Sequence, residues 1–84
     1  MLFDVIYHPD VESELITFWL NSPVRNNFSH ALNRIDQMLS SNPRKFGYEV
    51  AEDLYAIVDS PVKLFFEIHE NSFTVHVTGI AALR

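Results

Sequence analysis

The chain has 84 residues, of which 48% are hydrophobic, and it contains no cysteine. This length suits a single domain spanning residues 1–84, and a charged fraction of 20% is too low for a disordered chain. Eleven acidic residues against six Lys and Arg give a formal net charge of −5. Because phosphate is bound mainly through cations, nucleic acid is a poor default partner. Disulfides and thiolate metal sites are excluded, and the lack of a signal-peptide or membrane-span pattern predicts a cytoplasmic protein.

The first third of the chain predicts a strand followed by a helix. Residues 2–7 place Phe3, Val5 and Tyr7 on one face of a strand and Asp4 on the other. Pro9 then suits the first turn of a helix over residues 9–20. The apolar face of that helix is expected to consist of Val11, Leu15, Phe18 and Trp19.

A second helix is predicted over residues 23–40, with Ser22 as its N-cap and Pro23 at its first helical position. Its apolar stripe consists of Val24, Phe28, Ala31, Leu32, Ile35 and Leu39. The short connection predicts an antiparallel helical hairpin. Residues 40–53 are expected to be the longest irregular stretch of the chain.

The last third changes to a strand period. Residues 54–58, 62–69 and 73–78 predict three strands, with turns at Asp59-Ser60-Pro61 and Glu70-Asn71. The second turn would place Phe66 opposite Val75 and Leu64 opposite Val77.

These elements predict an α+β fold in the order β-α-α-β-β-β, with the helical hairpin on one face of a four-stranded, mainly antiparallel sheet. The side chains expected to be among the most buried are Trp19, Phe28, Leu32, Ile35, Leu64, Phe66, Val75 and Val77.

Over essentially its whole length the sequence resembles the RelE/ParE superfamily of bacterial type II toxin–antitoxin toxins. The features that carry the resemblance lie in every predicted element: Val5-Ile6-Tyr7-His8-Pro9, Leu15 and Trp19, Ala31 through Ile35-Asp36, Asn42-Pro43, the segment 60–68, and Val75-His76-Val77. The resemblance implies the same β-α-α-β-β-β fold, an antitoxin as partner and no cofactor.

The resemblance also implies where ribonuclease chemistry would lie. Ribonuclease members carry basic side chains on the uncovered sheet face and a C-terminal Arg-Tyr element that assists cleavage of ribosome-bound mRNA. The basic positions correspond here to Ala56 and Val58, and an arginine on the next strand corresponds to Lys63. The terminal arginine would fall near Leu83 or Arg84, with no tyrosine after it. Cleavage is therefore not expected, because phosphoryl transfer needs positioned cations and proton donors together.

The sheet face away from the helices, which we call the open face, mixes apolar and polar side chains. It is predicted to carry Ala56, Val58, Lys63, Phe65, Glu67, His69, Thr74, His76 and Thr78, with Asp4 and Ile6 extending it. This mixture is more typical of a protein-binding surface than of a catalytic cleft. The alternatives are a face packed by residues 81–84 or a contact between two copies of the chain. His69 and His76 have no third ligand at a suggestive spacing, so no metal site is predicted.

The expected function is that of a toxin-like module component that acts by binding and is neutralised by an antitoxin. If toxic, it would block a protein target, as the ParE branch blocks DNA gyrase. The predicted partner-binding residues are Ala56, Val58, Lys63, Phe65, Glu67 and His76. Two alternatives stay open: a divergent ribosome-dependent endoribonuclease using Lys63, His76 and Arg84, and a non-toxic homologue kept as an interaction module.

Overall fold

The computed structural model describes residues 2–23 and 25–83, with no account of the Ala82 side chain. Its elements, in chain order, are β1 (Asp4–Tyr7), α1 (Pro9–Asn21), α2 (Arg25–Ser41), α3 (Pro43–Phe46), β2 (Tyr48–Ala51), β3 (Leu54–Asp59), β4 (Val62–His69) and β5 (Thr74–Ala82). Strands β1, β3, β4 and β5 and helices α1 and α2 lie within a few residues of their predicted bounds. No helix among the described residues is long and apolar enough to span a membrane.

The strands form one sheet in the order β1-β5-β4-β3-β2. All neighbouring pairs are antiparallel except β1 and β5, which are parallel because α1 and α2 carry the chain across from one edge of the sheet. The predicted α+β fold with a mainly antiparallel sheet is confirmed. The strand number was wrong: the sheet has five strands, since β2 had not been predicted.

Helices α1 and α2 cover one face of the sheet and enclose the core with it. The fully or almost fully buried side chains come from both layers: Val11, Phe28, Ala31, Ile35, Leu39, Ile57, Val62, Leu64, Phe66, Val75 and Val77. The predicted apolar stripes of α2, β4 and β5 are therefore the core faces of those elements. Val24, predicted as part of the α2 stripe, lies outside the described residues, and Pro23 lies in the turn before α2 and not inside the helix.

Trp19 was wrongly placed among the most buried side chains, since 38% of it is exposed. It lies near the end of α1, where its indole Nε1 donates a hydrogen bond to Ser29 Oγ at 3.0 Å. The guanidinium of Arg25 lies 5.0 Å from the centre of its ring. An indole with a polar partner at a helix end does not need full burial. Leu32 is also only partly buried against the core.

The segment expected to be irregular contains α3 and β2. Pro43 begins α3, and the Asn42 side chain accepts a hydrogen bond from the backbone N–H of Lys45 at 3.3 Å. A turn with Asp53 in the left-handed region (φ 57°) joins β2 to β3. Every residue of β2 is exposed, and the apolar–polar alternation of its sequence covers only Tyr48, Glu49 and Val50, which is too short to predict a strand.

The predicted register of β4 and β5 was wrong by two residues at Phe66 and, beyond a bulge, by three at Leu64. Phe66 lies opposite Val77, not Val75, and Leu64 lies opposite Ile80. The turn is longer than expected: a 3₁₀ segment over Glu70–Ser72 is followed by Phe73 with φ 51°. A bulge then leaves Thr78 unpaired between the partners of Phe65 and Phe66. The apolar side chains still meet on the core face, because a shift of two preserves the alternation and the bulge takes up the third residue.

Tyr7 links strand β1 to helix α2 by a side-chain hydrogen bond on the face of the sheet that the helices cover. Its hydroxyl donates a hydrogen bond to Asp36 Oδ1 at 3.2 Å. Burial raises the pKa of Tyr7 above its ordinary value, and the nearby Asp36 carboxylate raises it further. The hydroxyl therefore stays protonated and keeps its role as donor at any pH near neutrality.

Arg34 on α2 holds the end of β3 through a bidentate ion pair with Asp59, at 2.6 Å and 2.9 Å. The hydrogen bonds from Arg34 lower the pKa of Asp59 below its ordinary value. The stabilisation is thus complete above the pKa of an unfolded aspartate, about 4, and is lost as the pH falls through the folded-state pKa.

We expect the urea midpoint of the Asp59→Asn variant to lie below that of the wild type at pH 7, and the difference to be smaller at pH 3. The difference at pH 7 is small, since solvent screens a pair in which 54% of the Arg34 side chain is exposed. Equal midpoint differences at the two pH values would show that the pair does not contribute.

Candidate interaction face

The open face is built from rows of side chains that cross the sheet. One row runs Tyr48, Ala56, Phe65 and Gly79, which are successive cross-strand partners. The next rows are Val58, Lys63 and Ala81 on one side, and Glu67, His76 and Ile6 on the other. All six predicted partner-binding residues thus lie on this one face, and no helix of the described chain covers it.

Phe65 lies at the centre of the face. A Cβ on its partner Gly79 would meet the Phe65 ring at 3.3 Å, so the ring lies close to the glycine. Ala56, on the other side, is fully buried. It therefore supports Phe65 and cannot itself contact a partner, which corrects its predicted role.

Three further apolar side chains on the open face are exposed. Val58 is 43% exposed, Ile6 42% and Tyr48 47%. Tyr48 was not predicted to lie on the open face, because it belongs to strand β2, which was not predicted. The sequence also gave no reason to assign Gly79 to this face, since the bulge at Thr78 is what turns Gly79 towards Phe65. A half-buried aromatic side chain on a face with further exposed apolar groups is typical of a protein contact surface.

The described part of the open face carries little positive charge. Lys63 contributes the one Lys or Arg side chain there, and its ammonium lies 5.1 Å from the centre of the Phe65 ring. Asp4 and Glu67 place carboxylates on the same face. The remaining described cations lie elsewhere: Arg25, Arg34, Arg44 and Lys45. Arg44, for example, pairs with Glu70 and donates to the Tyr55 hydroxyl at 2.8 Å.

Three imidazole rings form a line at one end of the face. The rings of His69 and His76 lie 4.3 Å apart, and His8 meets His76 edge-on at 5.9 Å. His69 Nε2 is 3.0 Å from Glu67 Oε1. His69 and His76 are not cross-strand partners; His69 faces Thr74, and His76 faces Glu67. No cluster of metal-ligand geometry occurs among residues 2–23 and 25–83.

The residues of the alternative catalytic set are not brought together. Lys63 pairs with Ala81, whereas His76 pairs with Glu67. Those rows are separated along the strand by four residues, or about 13 Å at the usual rise. Arg84 lies outside the described residues. Ala81 continues β5, and the Leu83 N–H donates to Pro61 O at 2.8 Å, so residues 81–83 do not fold over the open face.

Solved structures with the same architecture include one chain of the RelBE2 toxin–antitoxin complex from Mycobacterium tuberculosis. That chain has a TM-score of 0.80 and 14% identity, over 98% of this chain and 99% of that one. A chain of the archaeal RelE–RelB complex from Pyrococcus horikoshii OT3 has a TM-score of 0.67 and 17% identity, over 98% and 96%.

The isolated RelE toxin of Escherichia coli is similar with a TM-score of 0.62 and 17% identity, over 98% of this chain and 85% of that one. No protein-family model matches the sequence, and no curated protein matches it significantly. Similarity at this level of identity establishes architecture and not activity. The helical hairpin, the sheet and their connections are those of a RelE-like toxin fold.

Proposed function

We propose that this chain is the toxin-like component of a toxin–antitoxin module, that it acts by binding protein, and that an antitoxin segment neutralises it by covering the open face. The observation that carries the proposal is the apolar character of that face: Phe65 at its centre, with the exposed side chains of Val58, Ile6 and Tyr48 on the same face.

The comparisons support an antitoxin as the partner. Two of the similar structures are the toxin–antitoxin complex RelBE2 and an archaeal RelE–RelB complex. The similar chain in each of them matches 98% of this chain. Because fold alone does not determine function, these structures support only the kind of partner, an antitoxin. The target of a toxic chain would be a protein, for which DNA gyrase, the target of the ParE branch, is the first candidate.

The charge of the face supports protein as the ligand. The open face carries one lysine, Lys63, and two carboxylates, those of Asp4 and Glu67. The chain as a whole carries a formal charge of −5. Affinity for a phosphate backbone grows with the number of cations that contact it. An extended antitoxin segment with apolar side chains and one or more cations would suit this face better than RNA would.

The reading frame next to the gene of this chain provides the test. We expect induction of the chain alone to slow growth, and co-expression of a small neighbouring protein to restore it. We further expect Phe65→Asp to weaken binding of that neighbour at least about tenfold in calorimetric titration, because the charge lies at the centre of the contact.

Two controls separate binding from folding. Gln37→Asp adds the same charge on the exposed side of α2, in the layer opposite the open face, and should leave affinity unchanged. Val58→Asp repeats the test at a residue that is 43% exposed and does not support the core. Unchanged affinity in both Phe65→Asp and Val58→Asp would place the partner on another surface.

A further inference from the structure

Helix α1 exposes apolar side chains on the side that faces away from the sheet. Ile16 is 61% exposed, Leu20 is 53% exposed, and Trp19 borders them. Together with Leu15 and Leu32 they line a shallow, wholly apolar depression. Ile16 and Leu20 lie outside the stripe that α1 uses for the core, so packing within one copy of the chain does not explain them.

Opposite charges flank this apolar patch along the helix. Glu12, Ile16 and Leu20 follow one another at i, i+4 and i+8 on α1, and therefore share one face. Beyond Leu20 lies Arg25, whose Nη2 donates to Leu20 O at 3.1 Å. An acidic side chain thus lies about 6 Å before Ile16 along the helix axis, and a guanidinium lies at the Leu20 end of the apolar pair.

We propose that this surface, which we call the α1 patch (Glu12, Ile16, Trp19, Leu20, Arg25), binds a second copy of the same chain, with the two α1 helices antiparallel around a two-fold axis between Ile16 and Leu20. A two-fold contact requires a surface that is complementary to itself. Antiparallel α1 helices meet this requirement, because Glu12 of each copy then lies beside Arg25 of the other.

The geometry favours a second copy over an unrelated partner because opposite charges lie at the two ends of the apolar pair Ile16 and Leu20, an order that is complementary to itself when reversed. The two Ile16 and Leu20 pairs would supply the apolar centre, and the two ion pairs would fix the antiparallel direction. One helix from each copy buries less than a standard interface, so the dimer should be weak, in the micromolar range or above.

The α1 patch and the open face lie on opposite layers of the domain. A dimer formed through α1 would leave both open faces free, and could present them to two antitoxin segments at once. The α1 contact does not rest on the proposed function, since it is carried by different residues. Phe65→Asp should therefore leave the dimer intact, and a change at Ile16 should leave each open face intact.

Sedimentation equilibrium of the purified chain tests the contact. We expect the apparent mass to rise with concentration from one chain to two, and Ile16→Glu to raise the dimer dissociation constant at least about thirtyfold. Ile16 is largely exposed, so the variant should fold, which circular dichroism would verify. A wild-type chain that stays monomeric up to millimolar concentration would overturn the proposal, as would a dimer that Phe65→Asp dissociates and Ile16→Glu does not.

Charge reversal tests the antiparallel arrangement. Glu12→Arg and Arg25→Glu should each weaken the dimer, and the double variant Glu12→Arg/Arg25→Glu should restore it, because both intermolecular pairs are rebuilt with reversed polarity. Glu14→Arg makes the same charge change on another face of α1 and should have little effect. Failure of the double variant to recover affinity would rule out this orientation.

Discussion

Replacing Gly47 with alanine is expected to lower the free energy of unfolding by about 1–3 kcal/mol, the usual cost of overpacking a core. An added Cβ would lie 2.4 Å from Cζ of Phe66 and 3.0 Å from the carbonyl oxygen of Pro43. Phe66 is fully buried, so its ring has no free space into which to move. The backbone of Gly47 (φ −91°, ψ 170°) suits any residue, so the effect is one of contact and not of conformation.

A double variant tests that cause. Phe66→Leu removes the ring atoms that the new Cβ would meet, so Gly47→Ala should cost less in that background than in the wild type. We expect a coupling free energy of about 0.5–3 kcal/mol from urea unfolding of the four proteins. Additive costs would mean that the Phe66 ring is not what excludes a side chain at residue 47. The free energy of unfolding of a domain of this size is roughly 4–13 kcal/mol, so a loss of about 1–3 kcal/mol is readily measured.

The contact between Gly47 and Phe66 also shows which parts of the fold could be predicted. Phe66 was assigned to the core from the alternation along β4, which depends only on neighbouring residues. Gly47 was noted as a glycine within a stretch expected to be irregular. Nothing local indicates that the end of α3 lies against a ring 19 residues further on. Contacts of this kind follow from the assembled layers and leave no periodic signal.

The candidate site divides in the same way. The alternation of β4 was enough to place Lys63, Phe65 and Glu67 on the open face. The contribution of Tyr48 could be seen only once β2 was known, and β2 is a four-residue strand that buries none of its side chains. The contact between Phe65 and Gly79 required the bulge at Thr78, since a regular ladder would have given Phe65 another partner. Faces were thus predictable from periodicity, whereas edge strands and bulges were not.

The largest expected effect concerns chemistry: we expect the purified chain not to cleave mRNA in a translating ribosome. The two positions at which the family resemblance places basic side chains are Ala56 and Val58, and neither can bind phosphate or transfer a proton. Ala56 is in addition fully buried. Removal of one proton-transfer group or one charge-stabilising donor typically costs about 10²–10⁴ in rate, so the loss of several should reduce cleavage to background.

The remaining candidates do not restore the missing chemistry. Lys63 is a point charge over the Phe65 ring, without the fork of an arginine, and the row that holds His76 lies about 13 Å away along the strand. A cation and an acid must both reach the same phosphate to assist cleavage. Primer extension on mRNA from a reconstituted translation reaction provides the measurement, with Lys63→Ala and His76→Ala as matched variants. Codon-specific cuts by the wild type that disappear in either variant would contradict the prediction and make the endoribonuclease alternative the better account of this chain.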